Sequence, residues 1–179
     1  MNTTAQRKRA CSFLCMCLLY ASHPVSAWAC AIVTPEEGAR RQQAYIEQGK
    51  AEASALRNEA DQVFVGTLSQ LTPIRETIRQ GSGGDVVLHT YQARFDAVEN
   101  IKGQYSEDEA LAFTVNRNRV YVGCGPLPFR SSLPQENGTG ERYLVYARAG
   151  TIFRTNPVSD NTQALTGRDE AQHLRAAPR

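Results

Sequence analysis

The sequence predicts a mainly β domain, with short strands closing into a sandwich or small barrel, behind an export signal. Three observations carry that expectation: five or six stretches alternate apolar and polar residues with period two, turns bearing Gly and Pro separate them, and the first 29 residues follow another plan.

That plan is the layout of a secretory signal. Arg7, Lys8 and Arg9 precede an apolar run over 11–21, and small residues stand at Ala27 and Ala29. The run is about half of the roughly 20 residues a membrane span needs, and no later stretch is longer, so no span is expected after cleavage. Cleavage after Ala27 competes with cleavage after Ala29, and the second makes Cys30 the first mature residue. The expected organisation is a signal over 1–29 and one domain over 30–179, secreted or periplasmic. A chain of that length buries a core. With the three signal cations gone, the 20 basic residues fall to 17 against 18 acidic ones, which leaves no electrostatic footprint for nucleic acid.

Of the five cysteines, Cys11, Cys15 and Cys17 leave with the signal. Cys30 and Cys124 remain, and in an oxidising compartment they have one intramolecular pairing; the other reading is two free thiols. A bridge between them closes a long loop, which chain entropy values at roughly 4–5 kcal/mol.

Along the domain, residues 34–60 read as a helix. Thr34 suits the N-cap, Pro35 the first helical position and Glu37 a capping box, while Ile46, Ala53, Leu56 and Ala60 form a narrow apolar stripe. Gly38 and Gly49 each cost about 1 kcal/mol against alanine, so breaks are expected there. Val63-Phe64-Val65-Gly66-Thr67-Leu68 begins the strands, with Gly66 marking a bulge or a close approach. Residues 72–84 contain Pro73, mixed charges and Gly81-Ser82-Gly83-Gly84, and read as a long mobile connection; without a following lysine and helix the glycines do not make a phosphate cradle. Residues 86–98 read as a long strand with Tyr91, Ala93, Phe95 and Ala97 on one face and Thr90, Gln92, Arg94 and Asp96 on the other. Further strands are expected over 110–115, 120–122, 143–147 and 151–154, and a closing helix over 167–175. Phe64, Phe95, Phe113, Leu144 and Val145 are the expected single core.

Chemistry is sparse. His89 and His173 have no metal-ligand partner at close spacing and read as ordinary surface residues, and no Gly-x-Ser-x-Gly elbow is present. Glu107-Asp108-Glu109 and Asp169-Glu170 read as solvated acids, the latter at a helix start. Asn137-Gly138-Thr139 fits a glycosylation acceptor only in a eukaryotic secretory path. No catalytic residue, metal or cofactor is expected.

The order of several motifs carries a resemblance. Cys30, then Ala60-Asp61-Gln62-Val63-Phe64-Val65-Gly66, then Val98-Glu99-Asn100-Ile101-Lys102-Gly103, then Cys124-Gly125 and Gly140-Glu141-Arg142-Tyr143-Leu144-Val145-Tyr146-Ala147 resemble the netrin-like domain. The chain is similar to the N-terminal domain of the tissue inhibitors of metalloproteinases, and more closely to their small exported bacterial relatives. The resemblance implies a five-stranded OB-type Greek-key barrel with a long N-terminal helix and a short C-terminal one. It also ties Cys30 to Cys124. Ile32 stands where the family has a second N-terminal cysteine, and the position of that cysteine's partner falls near Pro157, so a second bridge is absent.

The function implied is that of an exported binding module, not an enzyme, which inhibits a zinc metalloproteinase through the Cys30 amine and carbonyl, with Ala31 and Ile32 against the partner. The alternatives are a non-inhibitory envelope structural or adaptor protein presenting the 72–84 connection, and a lipoprotein anchored through Cys30. The anchor fits Ala27 and Trp28 poorly and leaves Cys124 unpaired.

Overall fold

Thr34 opens the first element of the computed structural model, which describes residues 34–80, 85–116, 133–134, 137–159 and 164–177. Its hydroxyl accepts a bond from the Glu37 backbone N–H at 3.2 Å, and Pro35 enters the first turn of helix α1, Pro35–Glu59. The helix passes Gly38 and Gly49 without the expected breaks. Surface pairs bridge those turns, among them Arg41 with Glu37 at 2.5 Å and Lys50 with Glu47 at 3.0 Å, and Gly49 is itself buried. At the C-terminal end the Lys102 ammonium donates to the carbonyls of Arg57, Asn58 and Ala60 at 2.8, 3.1 and 2.6 Å, which satisfies acceptors the helix leaves unpaired.

Strand β1, Gln62–Arg79, is far longer than the six residues expected of it. Thr72, Ile74, Thr77 and Ile78 are β-branched and prolong the strand, while Pro73 is accommodated where the register slips between Pro73 and Arg75. The expected connection is therefore ordered ladder as far as Arg79, and only 81–84 lie outside the described residues. Strand β2, Val86–Lys102, pairs antiparallel with β1 through four register shifts. One shift falls at Ala97, whose φ of 49° puts it in the left-handed region. There the alternation reverses: Tyr91, Ala93 and Phe95 are buried, but Ala97 is exposed, contrary to its expected place on their face. Val98 takes up the packing against the inner cluster.

Strands β3 (Leu111–Asn116), β4 (Arg142–Arg148) and β5 (Thr151–Pro157) and helix α2 (Gly167–Ala176) complete the described elements. The expected strand over 120–122 lies outside the described residues. Ala149 and Gly150 turn β4 into β5 with both φ values positive, 49° and 72°, as in a type I′ hairpin, and the Asp61 carboxylate accepts the Ala149 N–H at 2.8 Å. The five strands form a mixed sheet that rings round in the order β1-β2-β3-β5-β4, antiparallel except where Ala112 of β3 meets Thr151 of β5.

Ringing round gives the sheet two apolar faces. Inside lie Phe64, Leu68, Phe95, Tyr105, Leu111, Phe113 and Val145, with Phe64 stacked on Tyr105 at a centroid distance of 4.3 Å. Outside, Val63, Val65, Leu144 and Tyr146 pack beneath Ala53 of α1 and Ala171 and Leu174 of α2. Leu144 thus leaves the single core expected for it, because alternation along β4 sends Tyr143 and Val145 inward and Leu144 and Tyr146 toward the helices.

Stability should follow this division. Phe95→Ala is expected to cost about 3–5 kcal/mol, as loss of a buried aromatic does. Gly103, at φ 64°, has no room for a side chain: a Cβ would stand 2.2 Å from the Asp61 carbonyl oxygen. Gly103→Ala should therefore cost more than the roughly 1–3 kcal/mol of backbone strain alone. Ala97→Gly should range from neutral to about 1 kcal/mol stabilising, since it removes a left-handed alanine. Denaturant unfolding of the three variants checks both sign and order.

Candidate functional site

Cys30, Ala31, Ile32 and Cys124 all lie outside the described residues, so the bridge and the amino-terminal chelate are not placed. Among the described residues no group of three or more His, Cys, Asp or Glu side chains stands close enough to hold a metal ion. No described helix is long and apolar enough to cross a membrane.

Two constellations have the residue types of a reactive site, and their hydrogen bonds decide what each can do. Ser54 of α1 and His173 of α2 meet at 3.0 Å, Oγ to Nε2, and are partly buried, not surface residues as expected for His173. The Ser54 hydroxyl donates to the Lys50 carbonyl at 2.9 Å, so its proton is already committed and Nε2 must donate to Oγ. That polarity makes the pair a clasp between the helices, not a nucleophile with its base.

The second constellation was not legible as such. Glu170, expected to be solvated at a helix start, is fully buried; only its neighbour Asp169 faces solvent, where it accepts from Thr166. Arg154 of β5 clamps the Glu170 carboxylate with two bonds, at 2.5 and 2.9 Å, and Asn156 donates to it at 2.7 Å. Tyr146 of β4 donates its hydroxyl to the same carboxylate, and its ring lies 5.2 Å below the Arg154 guanidinium. Burial and the adjacent carboxylate push the Tyr146 phenol far above its ordinary value. Four donors saturate the carboxylate, which has no lone pair left for a substrate. The cluster fastens α2 to the sheet. Its signal in the sequence was the stripe Gly167, Glu170, Ala171, Leu174 at helical spacing, which puts Glu170 on the packed face.

What the sheet offers to a partner is the ribbon that β1 and β2 extend beyond the ring. Among the described residues, β4 accompanies β1 only as far as Thr67 and β3 accompanies β2 only as far as Leu88, but the β1–β2 ladder continues to Arg79 and Val86. Residues 72–80 are all exposed, and Ile74 and Ile78, at 53% and 61%, are the exposed large hydrophobics among the described residues. Glu76 and Ile78 share one face with His89 and Val87, and Glu76 lies 3.5 Å from the His89 ring nitrogen. Arg75, Thr77 and Arg79 share the other. A two-stranded ribbon has no core of its own and gains little stability, so apolar tips on it favour contact with another surface.

Comparison with protein-family models, with curated proteins and with solved structures gave no match. The chemistry of the site therefore rests on its own geometry.

Breaking the buried cluster should be costly. Glu170→Ala strands a buried guanidinium and is expected to lose about 3–5 kcal/mol, while the joint change Arg154→Met with Glu170→Leu recovers part of that loss. Because the fold favours neutral Tyr146, its contribution is fully present below the ordinary phenol value of 10.0 and declines as pH rises beyond it. Unfolding across pH 8–11 in the parent and in Tyr146→Phe, as order-of-magnitude points on either side of that value, measures the difference.

Proposed function

We propose that the chain is an exported netrin-like binding module, not an enzyme, and that it engages a protein partner. The observation that supports this reading is a five-stranded mixed sheet that rings round in the order β1-β2-β3-β5-β4, with β3 parallel to β5, between one leading and one trailing helix; an OB-type Greek-key barrel would have this order.

In the fuller form of this reading, residues 1–29 direct export and Cys30 becomes the first residue. A bridge to Cys124 then holds the amino terminus rigid. The free α-amine and the carbonyl oxygen of Cys30 are adjacent donors able to take the open coordination position of a protease's catalytic zinc. The amine, with an ordinary pKa of about 8, is partly neutral at physiological pH, as chelation requires. Ala31 would face the specificity pocket, where its small side chain fills little volume, and Ile32 would flank it, so inhibition would be weak or unselective.

The exposed β1–β2 ribbon favours a second reading, a non-inhibitory adaptor that docks through the ribbon. Protein starting at Cys30, compared with protein carrying one extra N-terminal alanine against a panel of zinc proteases, separates the two. Inhibition by the first alone is the expected result for the inhibitor. Equal inhibition by both, or none by either, removes the chelate and leaves the adaptor. Intact mass before and after reduction checks the Cys30 to Cys124 link, and a lipid mass on Cys30 would replace both readings with an anchor.

A further inference from the structure

The edge of β1 that faces β4 loses its partner early. β4 accompanies β1 from Gln62 to Thr67, and Leu68 adds backbone bonds with Glu141 and Gly140 at 2.9 and 2.8 Å. Over 70–79 no described strand lies on that side, while β2 occupies the other, so alternate residues turn N–H and C=O groups to an edge that no described strand pairs. Such an edge is the template to which an extended segment adds in strand-addition recognition.

The side chains decide which segment fits. Arg75 and Arg79 stand on one face with Thr77 between them, both exposed, and neither makes an ion pair among the described residues. A second copy is a poor occupant. Antiparallel two-fold pairing centred on Thr77 sets Arg75 against Arg79 of the other copy, centring on Glu76 opposes two glutamates, and centring on Arg75 opposes two arginines; centring on Ile78 opposes no like charges but pairs only Thr77, Ile78 and Arg79 before β1 ends. The slip at Pro73 and Ile74 then interrupts the ladder. A foreign strand meets the same interruption at Pro73 but not the like-charge clash, and can bring carboxylates to both cations.

We propose that the β1 edge over 72–79 binds an extended segment of a partner protein by antiparallel strand addition, with carboxylates opposite Arg75 and Arg79 and an apolar side chain opposite Ile78. The inference rests on the reading of the chain as a binding module and is independent of zinc chelation. The backbone ladder supplies affinity and the two arginines supply register and selectivity.

The probe is a labelled peptide, Thr-Glu-Val-Thr-Lys-Glu-Val-Thr, titrated by fluorescence anisotropy at low salt into the full exported protein. Its control exchanges every glutamate for lysine and the lysine for glutamate. The expected result is preference for the first peptide by about tenfold, two cross-strand charge pairs' worth, falling as salt is added. Joint Arg75→Glu and Arg79→Glu substitution, in protein whose circular dichroism is unchanged, should reverse the preference. N-methylating alternate peptide amides on one edge should abolish binding, and methylating the other edge should leave it. Equal binding of both peptides, no saturation up to about 1 mM, or equal loss on methylating either edge overturns the proposal. Concentration-dependent dimerisation that excludes the peptide overturns it in favour of a second copy. Peptide binding without protease inhibition removes only the chelate reading, and inhibition without peptide binding removes only this one.

Discussion

The short run from Val63 to Gly66 is buried on both of its faces, and the architecture answers to that constraint. Phe64 must lie inside the ring, while Val63 and Val65 must be covered from outside. A lone sheet of this size covers one face at most, so two helices become obligatory. α1 presents the small residues Gly49 and Ala53, with Ala60 at its C-cap, which lets its backbone come close. α2 arrives as closely: a Cβ on Gly167 would stand 2.6 Å from the Pro157 carbonyl oxygen. Burying the start of α2 against β5 brings Glu170 out of water, and Arg154, Asn156 and Tyr146 compensate the charge. Glu99 completes the attachment at the surface, accepting from Arg142 of β4 and, at 2.7 Å, from Arg175 of α2.

Much of this was legible in the residues. Period-two patterning located each described strand, and Thr34, Pro35 and Glu37 set the start of α1 correctly. The errors share one physical origin: alternation identifies faces only while the register holds. Counting by two from Phe95 puts Ala97 inward, and the bulge at Ala97 reverses the count. Leu144 was assigned to one core because period two distinguishes faces without saying that both are covered. The extension of β1 was hidden by Pro73, which reads as a breaker unless the strand is known to have a free edge at that point.

The candidate site was less legible than the fold. The residues that the netrin-like resemblance singles out, Cys30, Ala31, Ile32 and Cys124, lie outside the described residues. The surface that the described structure offers lies in the segment first read as a loop. Charge order along 72–79 was visible from the start, but its meaning depends on which side chains share a face. That follows from pairing with β2 and from no local signal. Glu170 teaches the converse. Acids at a helix start are usually solvated, and only the packed stripe of α2 overrides that expectation.

The contact between β3 and β5 differs in kind from the others. The β1–β2 and β4–β5 ladders join neighbours in sequence, so their loop-closure entropy is modest and they form early. Ala112 meets Thr151 across a long stretch of chain, in parallel, through one described register pair and the bond from the Ala112 N–H to the Gly150 carbonyl at 2.9 Å. Its long loop predicts that closure there comes late in folding, and among the described residues it carries few hydrogen bonds. A seam held by so few described bonds is expected at the low end of local opening free energies, its amide protons exchanging before the strands on either side come apart.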